Sequence, residues 1–377
     1  MIDRTKNSVI GEIGLDEMYS MSVGSLFAGI GGFCTAFKRE GFQIAWANEF
    51  DKSACETYRY NNPKVDLHEK SIEGLSVNMD KLNPVDVLTA GFPCQSFSVA
   101  GNQLGFEDPR GSLFFQIIRL IKEFGNEKPK IIVLENVKNL IYHDSGRSIR
   151  RLEEELRNAG YWFRVNKDLN GHLLNSTPNA KVLNTKDHTT IPQNRERLYM
   201  VALNSDYFKK NRFKFPDERT VPLADIQSFF DKSQKGEAEL YFESGSKYET
   251  LFADAIKEAK KEGRHDSVYL LRRIYVRENK NNCAFTLTAN MGSGGHNVPV
   301  IEDDWGIRKL TPRECLRLQG FKDHEFSFPI QMAKTKQYKQ IGNAVTVDLV
   351  QLLAAQCKNQ LIAEERTKVY DRLEFSI

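Results

Sequence analysis

The chain is 377 residues long, with 40% hydrophobic and 27% charged residues, proportions suited to a globular protein with a sizeable core. They exclude a disordered chain, a collagen and a disulfide scaffold, and no run of ~18 apolar residues is present for a membrane span. Net charge is only +3, from 53 Lys and Arg against 50 Asp and Glu, so a polyelectrolyte partner is neither required nor excluded.

Residues 1–20 have no strong periodicity and are expected to form a loosely held N-terminal arm. Their opening, MIDRTKNSVIGEIG, lacks the apolar core of a secretory signal. Val23 to Phe27 reads as a short strand, followed by the glycine-rich turn at Ala28 to Gly32. Phe33, Ala36 and Phe37 then recur at helical spacing, and Gly41 is a natural stop. Gln43 to Asn48, Val85 to Ala90 and Ile131 to Leu134 have the length and character of strands. The amphipathic stretch Ser112 to Phe124 lies between the last two. Ile149, Leu152 and Leu156 mark another helix, ending near Gly160, and Leu198 to Leu203 is one more strand. Strands alternating with helices over 21–203 predict a doubly wound, mostly parallel α/β sheet.

The texture changes near residue 204. Residues 204–265 are rich in Lys, Asp, Glu and Phe, and Lys257 to Glu262 reads as a solvated helix face. Residues 268–301 hold short β-like runs and the glycine-rich segment Met291 to His296. A second, smaller domain is expected over 204–330. From Tyr338 to Leu361, Val345, Leu349, Leu352 and Leu353 fall on one helical side. The segment 331–377 is therefore expected to return and close the first domain.

Chemistry gathers where strands end. Gly29-x-Gly31-Gly32, between a strand and a helix, suits close approach of a backbone to a nucleotide-like ligand. Glu49, 20 positions after Gly29, stands where an acid meets ribose hydroxyls. Such a turn is often only a turn, and the incomplete G-x-G-x-x-G disfavours NAD. None of the six cysteines forms a C-x-x-C pair or has a His at zinc-ligand spacing, so no metal is expected. Cys94 reads either as a plain buried thiol or, because it follows a strand end and Pro93 directly, as a thiol at the mouth of the site. Residues 96–111 read as a lid or as a plain surface loop. Glu135 closes the next strand, and Gln193-Asn194-Arg195-Glu196-Arg197 supplies two guanidinium forks. The arginines fit a solvated ion-pair face, or, with the thiol and the acid, nucleophilic attack on an electron-poor ring.

In order, FAGIGG (27–32), Glu49, GFPCQSFS (91–98), ENV (135–137), QNRER (193–197), RKLTPRE (308–314) and IGNAV (341–345) span nearly all of the chain after residue 21. This set resembles the DNA (cytosine-5) methyltransferases, in particular the compact bacterial type II modification enzymes. GFEDPRGSLFF at 105–115 is similar to the family's lid and following helix. Three departures stand out. Lys70-Ser71-Ile72 occupies a place where the family often carries an acid against the adenine. Asn170 to Lys181 is extra sequence, and the arm at 1–20 precedes the usual start.

The resemblance implies the S-adenosylmethionine-dependent, Rossmann-like methyltransferase fold, with a target-recognition domain at 204–330. The cofactor would be S-adenosylmethionine, released as S-adenosylhomocysteine. Phe27, Gly29, Gly31, Glu49, Asn343 and Val345 would line its pocket. Cys94 would add to carbon 6 of cytosine so that carbon 5 takes the methyl group. Glu135 would grip the ring at nitrogen 3 and the exocyclic amine, with Arg195 and Arg197 orienting the base. The target would be flipped out of the duplex. Pro93, Gln95, Ser96 and Asn136 would face it, and Arg110 in the lid would meet a phosphate. In the second domain Thr286, Leu287 and Asn290 would belong to the reading segment, and Arg272, Arg273 and Arg277 would position phosphates.

Two rivals are distinguishable. A branch of the family methylates cytosine in transfer RNA, but it usually carries a second proline before the cysteine, where this chain has Phe92, and a shorter recognition region. A catalytically inactive DNA-binding scaffold would have lost the nucleophile or ENV, and both are present. The expected partner is double-stranded DNA and not a membrane. A restriction endonuclease encoded nearby, without direct binding, is the expected context. The expected protein is bacterial, from the compact architecture, cytoplasmic and nucleoid-associated, from the absence of targeting signals, and a monomer, since no coiled-coil or large apolar seam is visible.

Overall fold

The computed structural model describes residues 20–93, 113–166, 179–211, 213–272, 274–293 and 297–374. The sheet is built from β1 (Ser22–Leu26), β2 (Gln43–Glu49), β3 (Asp66–Glu69), β4 (Val87–Gly91), β5 (Ile131–Val137), β6 (Tyr161–Trp162), β7 (Ala180–Asn184) and β8 (Glu196–Asn204). Its order is β3-β2-β1-β4-β5-β8-β6, with β7 also paired to β8. β1 to β5 run parallel, while β8 is antiparallel to β5. This is the doubly wound, mostly parallel sheet that the alternation predicts.

Helices α1 (Gly32–Arg39), α2 (Lys52–Asn61), α3 (Leu113–Glu123), α4 (Arg147–Asn158) and the single turn α5 (Thr185–His188) connect the strands. Strand alternation divides the core between two faces. On β5, Ile131 and Val133 join the cluster containing Phe33 and Phe37 of α1, while Ile132 and Leu134 join that of Phe114 in α3 and Leu152 in α4. The order reverses direction between β1 and β4, and β1, β2, β4 and β5 all end at the same edge. Ligands of open α/β sheets bind at such a switch point.

The elements α2, β3, β6 and β7 have no counterpart in the sequence reading. α2 buries only Ala54, Cys55, Thr57 and Tyr58, too polar a stripe to register as an apolar period. Its start is fixed by Asp51, whose side chain accepts from the Ser53 and Ala54 N–H groups. β3, with the sequence DLHE, has no apolar run at all.

The smaller unit contains α6 (Lys247–Lys261) and an antiparallel sheet of β9 (Val268–Arg272), β10 (Tyr275–Asn279), β11 (Val300–Asp303) and β12 (Gly306–Lys309), ordered β10-β9-β11-β12. Phe252, Ile256 and Ala259 of α6 are its inward side. Then come α7 (Pro312–Leu318), α8 (Lys334–Asn343) and α9 (Val347–Glu374). The tail is thus two helices, not one amphipathic stripe, and Val345 lies in the break between them. The break has a cause. Side chains of Arg195 and Gln319 take the carbonyl of Ala344, and the Gln319 carbonyl takes the N–H of Val347 at 2.8 Å. α9 then packs its Val350 and Leu353 into the same cluster as Phe37 of α1.

RKLTPRE performs a structural task at the start of α7. Arg308, 1% exposed, donates from Nε to Asp303 at 2.6 Å and from both Nη atoms to Glu314 at 2.8 Å. Glu314 also closes a capping box with Thr311. Removing one partner of a buried ion network leaves uncompensated charge. Arg308→Ala is therefore expected to destabilise the protein by about 3–5 kcal/mol, measured as a lower urea midpoint at unchanged slope.

Candidate active site

The turn after β1 uses left-handed backbone at Phe27 (φ 52°), Gly29 (φ 56°) and Gly31 (φ 94°). Glycine accepts this freely, whereas Phe27 is held there under strain. The Gly29 N–H donates to Glu49 Oε2 at 2.9 Å, and the N–H groups of Phe50 and Asp51 donate to Glu49 Oε1 at 2.9 Å each. The carboxylate is thereby fixed by backbone alone at the end of β2. A Cβ added to Gly29 would meet nothing within 4 Å, because the turn borders a cavity of about 540 Å³. Beside Glu49, Phe50 is 68% exposed and lines the same space.

Asp51 completes this corner. Burial alone would raise its carboxyl, but hydrogen bonds from Ser53 and Lys339 outweigh that and hold its pKa at about 2. Lys70, Ser71 and Ile72, the stretch that departs from the family pattern, also line the cavity. The Ser71 side chain caps a short 3-10 turn over Ile72–Gly74.

Across the cavity stand the ends of β4 and β5. Gly91 pairs with Glu135 in register, and a methyl group on residue 91 would stand 3.5 Å from Glu135 Oε2. Glu135 Oε1 lies 3.1 Å from Arg197 Nε, with both side chains largely buried. Asn136 is 2% exposed and donates from Nδ2 to the Phe92 carbonyl at 2.9 Å, while its Oδ1 accepts from the Val137 N–H. It therefore pins the backbone that leads to Pro93, and it also lines the cavity. Pro93 is in the cavity wall and is the last described residue before Cys94. Cys94, Gln95, Ser96 and Arg110 lie outside the described residues, as do Arg273, Gly294, Gly295 and His296.

The two arginines of QNRER differ. Arg197 faces Glu135. Arg195 is 2% exposed, and its fork donates to the carbonyls of Leu287 (2.6 Å), Gly342 (3.2 Å) and Ala344 (2.7 Å). Burial, with the charge of Arg197 beside it, lowers its pKa to about 9 against the opposite pull of Glu135. The side chain stays charged at neutral pH and staples three chain segments together. Arg195 also lines the cavity: its two Nη groups are committed to backbone, while its Nε has no partner among the described residues.

Three further residues of the sequence reading stand behind the cavity wall or in the core. Gly31 does not line the cavity; a Cβ there would press on Tyr58 and Asn62 at 3.2–3.3 Å, so its bareness admits α2. Val345 is buried and packs on Gly32, where an added Cβ would come within 2.8 Å of it. Leu287 is 1% exposed in the main core and cannot read a base edge with its side chain. Phe27, Gly29, Glu49 and Asn343 do line the cavity. Thr286 donates to the Asn194 carbonyl at 2.6 Å, and Asn290 and Arg272 are exposed. Arg277 stacks over Phe285 at 5.2 Å. The sequence reading missed Phe50, Asp51, Lys339 and Gln340, which also line the cavity. For Phe50, its place next to Glu49 was the available signal.

A short 3-10 turn, Ala289–Gly292, lies directly on α8. A Cβ on Gly342 would fall 2.0 Å from the Thr288 backbone, and one on Gly292 2.5 Å from the Thr335 carbonyl. Neither obstacle is a flexible side chain. Gly342→Ala is expected to destabilise the protein by about 1–3 kcal/mol through overpacking, measured by denaturant unfolding.

A family model described as C-5 cytosine-specific DNA methylase matches residues 21–359. The Type II methyltransferase M.Bsp6I of Bacillus sp. (strain RFL6) is 41% identical over 337 residues, covering 89% of this chain and 97% of its own. The Type II methyltransferase M.HhaI of Haemophilus parahaemolyticus is 33% identical, covering 87% of this chain and 91% of its own. Among solved structures, a Spodoptera frugiperda DNMT2 mutant has a TM-score of 0.65 at 18% identity, over 90% of this chain and 99% of that one. Entamoeba histolytica methyltransferase EhMeth has a TM-score of 0.63 at 16% identity, over 91% and 99%. These two likenesses show a shared fold.

Proposed function

This chain belongs to the C-5 cytosine-specific DNA methylase family, and from that premise we propose how its residues divide the reaction. It is a DNA (cytosine-5) methyltransferase, and its resemblance to Type II methyltransferases supports a sequence-specific modification role in a restriction–modification system. The transfer-RNA reading is less supported, because the curated relatives reported above are Type II methyltransferases. No helix among the described residues is long and apolar enough to cross a membrane, which suits an enzyme working on DNA in the cytoplasm.

The observation that carries the assignment of roles is convergence. Glu49, Pro93, Glu135 and Asn343 come from four separate parts of the chain and border one cavity. S-adenosylmethionine fits one end of it: Gly29 leaves open space, Phe50 offers an exposed ring and Glu49 a fixed carboxylate. When bound, that cofactor supplies an electrophilic methyl group. Glu49 would hold the ribose, with Phe27, Gly29 and Asn343 shaping the wall. Gly31 and Val345 would support that wall from behind.

The other end would take the cytosine, flipped out of duplex DNA. The Cys94 thiolate adds to carbon 6, which makes carbon 5 nucleophilic enough to take the methyl group. Loss of the carbon-5 proton to water and departure of the thiolate restore the aromatic ring. Glu135 binds the ring edge at nitrogen 3 and the exocyclic amine, and Arg197 orients Glu135 and the base. Asn136 fixes the approach of Pro93 to the ring, while Gln95, Ser96 and Arg110 would close on the DNA. Residues 204–330 would recognise the target, with Thr286 and Asn290 in the reading segment and Arg272 and Arg273 positioning phosphates.

The test is base-resolution mapping of methylcytosine after purified protein acts on a random-sequence duplex library with S-adenosylmethionine. Carbon-5 methylation confined to one short motif is the expected result. No methylation by folded protein that binds both ligands would overturn the duplex-DNA reading, and transfer RNA would be assayed next.

A further inference from the structure

We propose that α8 joins DNA engagement to cofactor retention, and that Lys339 is the positioning residue through which it does so. The proposal rests on the DNA reading above and names a regulation of the same site.

One side of α8 is locked to the reading segment. Gly292 abuts the Thr335 carbonyl and the backbone and Cβ of Lys339, and Gly342 abuts the backbone of Thr288 and Ala289. These are backbone contacts at both ends of one helix. Close-packed contacts of this kind leave no slack, so a shift of residues 288–292 carries the helix with it.

The other side of α8 is tied to the cofactor corner. Lys339 Nζ reaches Asp51 Oδ2 at 3.0 Å, and Gln340 Oε1 accepts from the Thr57 hydroxyl at 2.8 Å. Both partners lie at or within α2, one at its first turn and one in its body. Asp51 is joined in turn to Glu49, since its N–H donates to Glu49 Oε1 at 2.9 Å. Lys339, Gln340, Asp51 and Glu49 all border the cavity. A single residue therefore touches the reading segment with its backbone and the cofactor rim with its ammonium group.

The chemistry suits a coupling element better than a structural brace. The side chains of Lys339 and Asp51 are 55% and 30% exposed, so the ion pair contributes little to folding. Its geometry can respond to small movements of α8 without endangering the fold. By linkage, whatever DNA does to cofactor affinity, cofactor must do to DNA affinity.

The test uses the full-length protein, S-adenosylhomocysteine as the probe, and calorimetry with and without a saturating duplex carrying the mapped motif. In the wild type, the duplex should tighten probe binding by about tenfold, within the ordinary range of such couplings. Lys339→Met should reduce that ratio by about threefold, with its melting temperature confirming the fold. Asp51→Asn, which keeps a capping side chain, should do the same, and the double variant should lose no more than either single one. Lys339→Arg should keep more than half of the ratio. A wild-type ratio near one overturns the proposal. So does Lys339→Met weakening the probe equally with and without DNA, because Lys339 would then act only locally. Failure of the wild type to bind or methylate any duplex would instead refute the DNA reading beneath it.

Discussion

Cys94→Ser is expected to reduce methyl transfer by at least a thousandfold while leaving affinity for duplex DNA within about threefold of wild type. A serine hydroxyl occupies nearly the same volume, but it ionises far less readily than a thiol and is a much weaker nucleophile at neutral pH. Asn136 would still pin the Phe92 carbonyl on the approach to this position, through a hydrogen bond of 2.9 Å. The check is single-turnover transfer of labelled methyl groups, together with a duplex bearing fluorine on carbon 5 of the target. Fluorine leaves no proton to lose, so wild-type protein should accumulate a covalent adduct visible by mass spectrometry. The serine variant should form none. Residual activity above a tenth of wild type would remove Cys94 from the mechanism.

Glu135→Gln should lower kcat by about a hundred- to a thousandfold, the usual loss when one preorganised electrostatic contact to a reacting group is removed. The amide is nearly isosteric and still fits beside Gly91. It cannot carry the charge that pairs with Arg197 at 3.1 Å, nor can it move a proton to and from ring nitrogen 3. Single-turnover rates at saturating DNA and cofactor isolate this step from binding. A fall of less than fivefold would show that the acid only packs.

Much of this site was legible in the sequence because its residues sit just beyond apolar strands. Glu49 and Glu135 each end a run of apolar residues that has to be a buried strand, and parallel strands of one sheet end together. What could not be read was orientation. Arg195 and Arg197 are two positions apart, yet the chain enters β8 between them, so strand alternation does not hold across the pair. Arg197 lands in register with Val137, on the strand that carries Glu135, while Arg195 turns into the junction with Leu287, Gly342 and Ala344. Thr286 and Leu287 show the same limit, one half-exposed and the other in the core. Gly31 shows a different ambiguity. A glycine in a ligand-binding turn can be bare for the ligand or for a neighbouring helix, and here Gly29 serves the first purpose and Gly31 the second.

The contact between Gly342 and Thr288 sets a rule for anyone who wishes to retarget this enzyme. Two backbones that touch with no side chain between them act like a keyed joint: either half can be replaced only by one cut to the same profile. A transplanted recognition module that arrives with a bulkier residue at 292, or with a different backbone path through 288 and 289, would pry α8 away from the cofactor corner. It would then make a protein that finds its new sequence but holds its methyl donor poorly. The hairpin of β9 and β10 offers a better starting point for changing specificity, since Arg272 and Tyr275 at its end are exposed and lie outside that joint. Libraries confined to the hairpin, with Ala284 to Gly292 left untouched, keep the two halves of the machine in register.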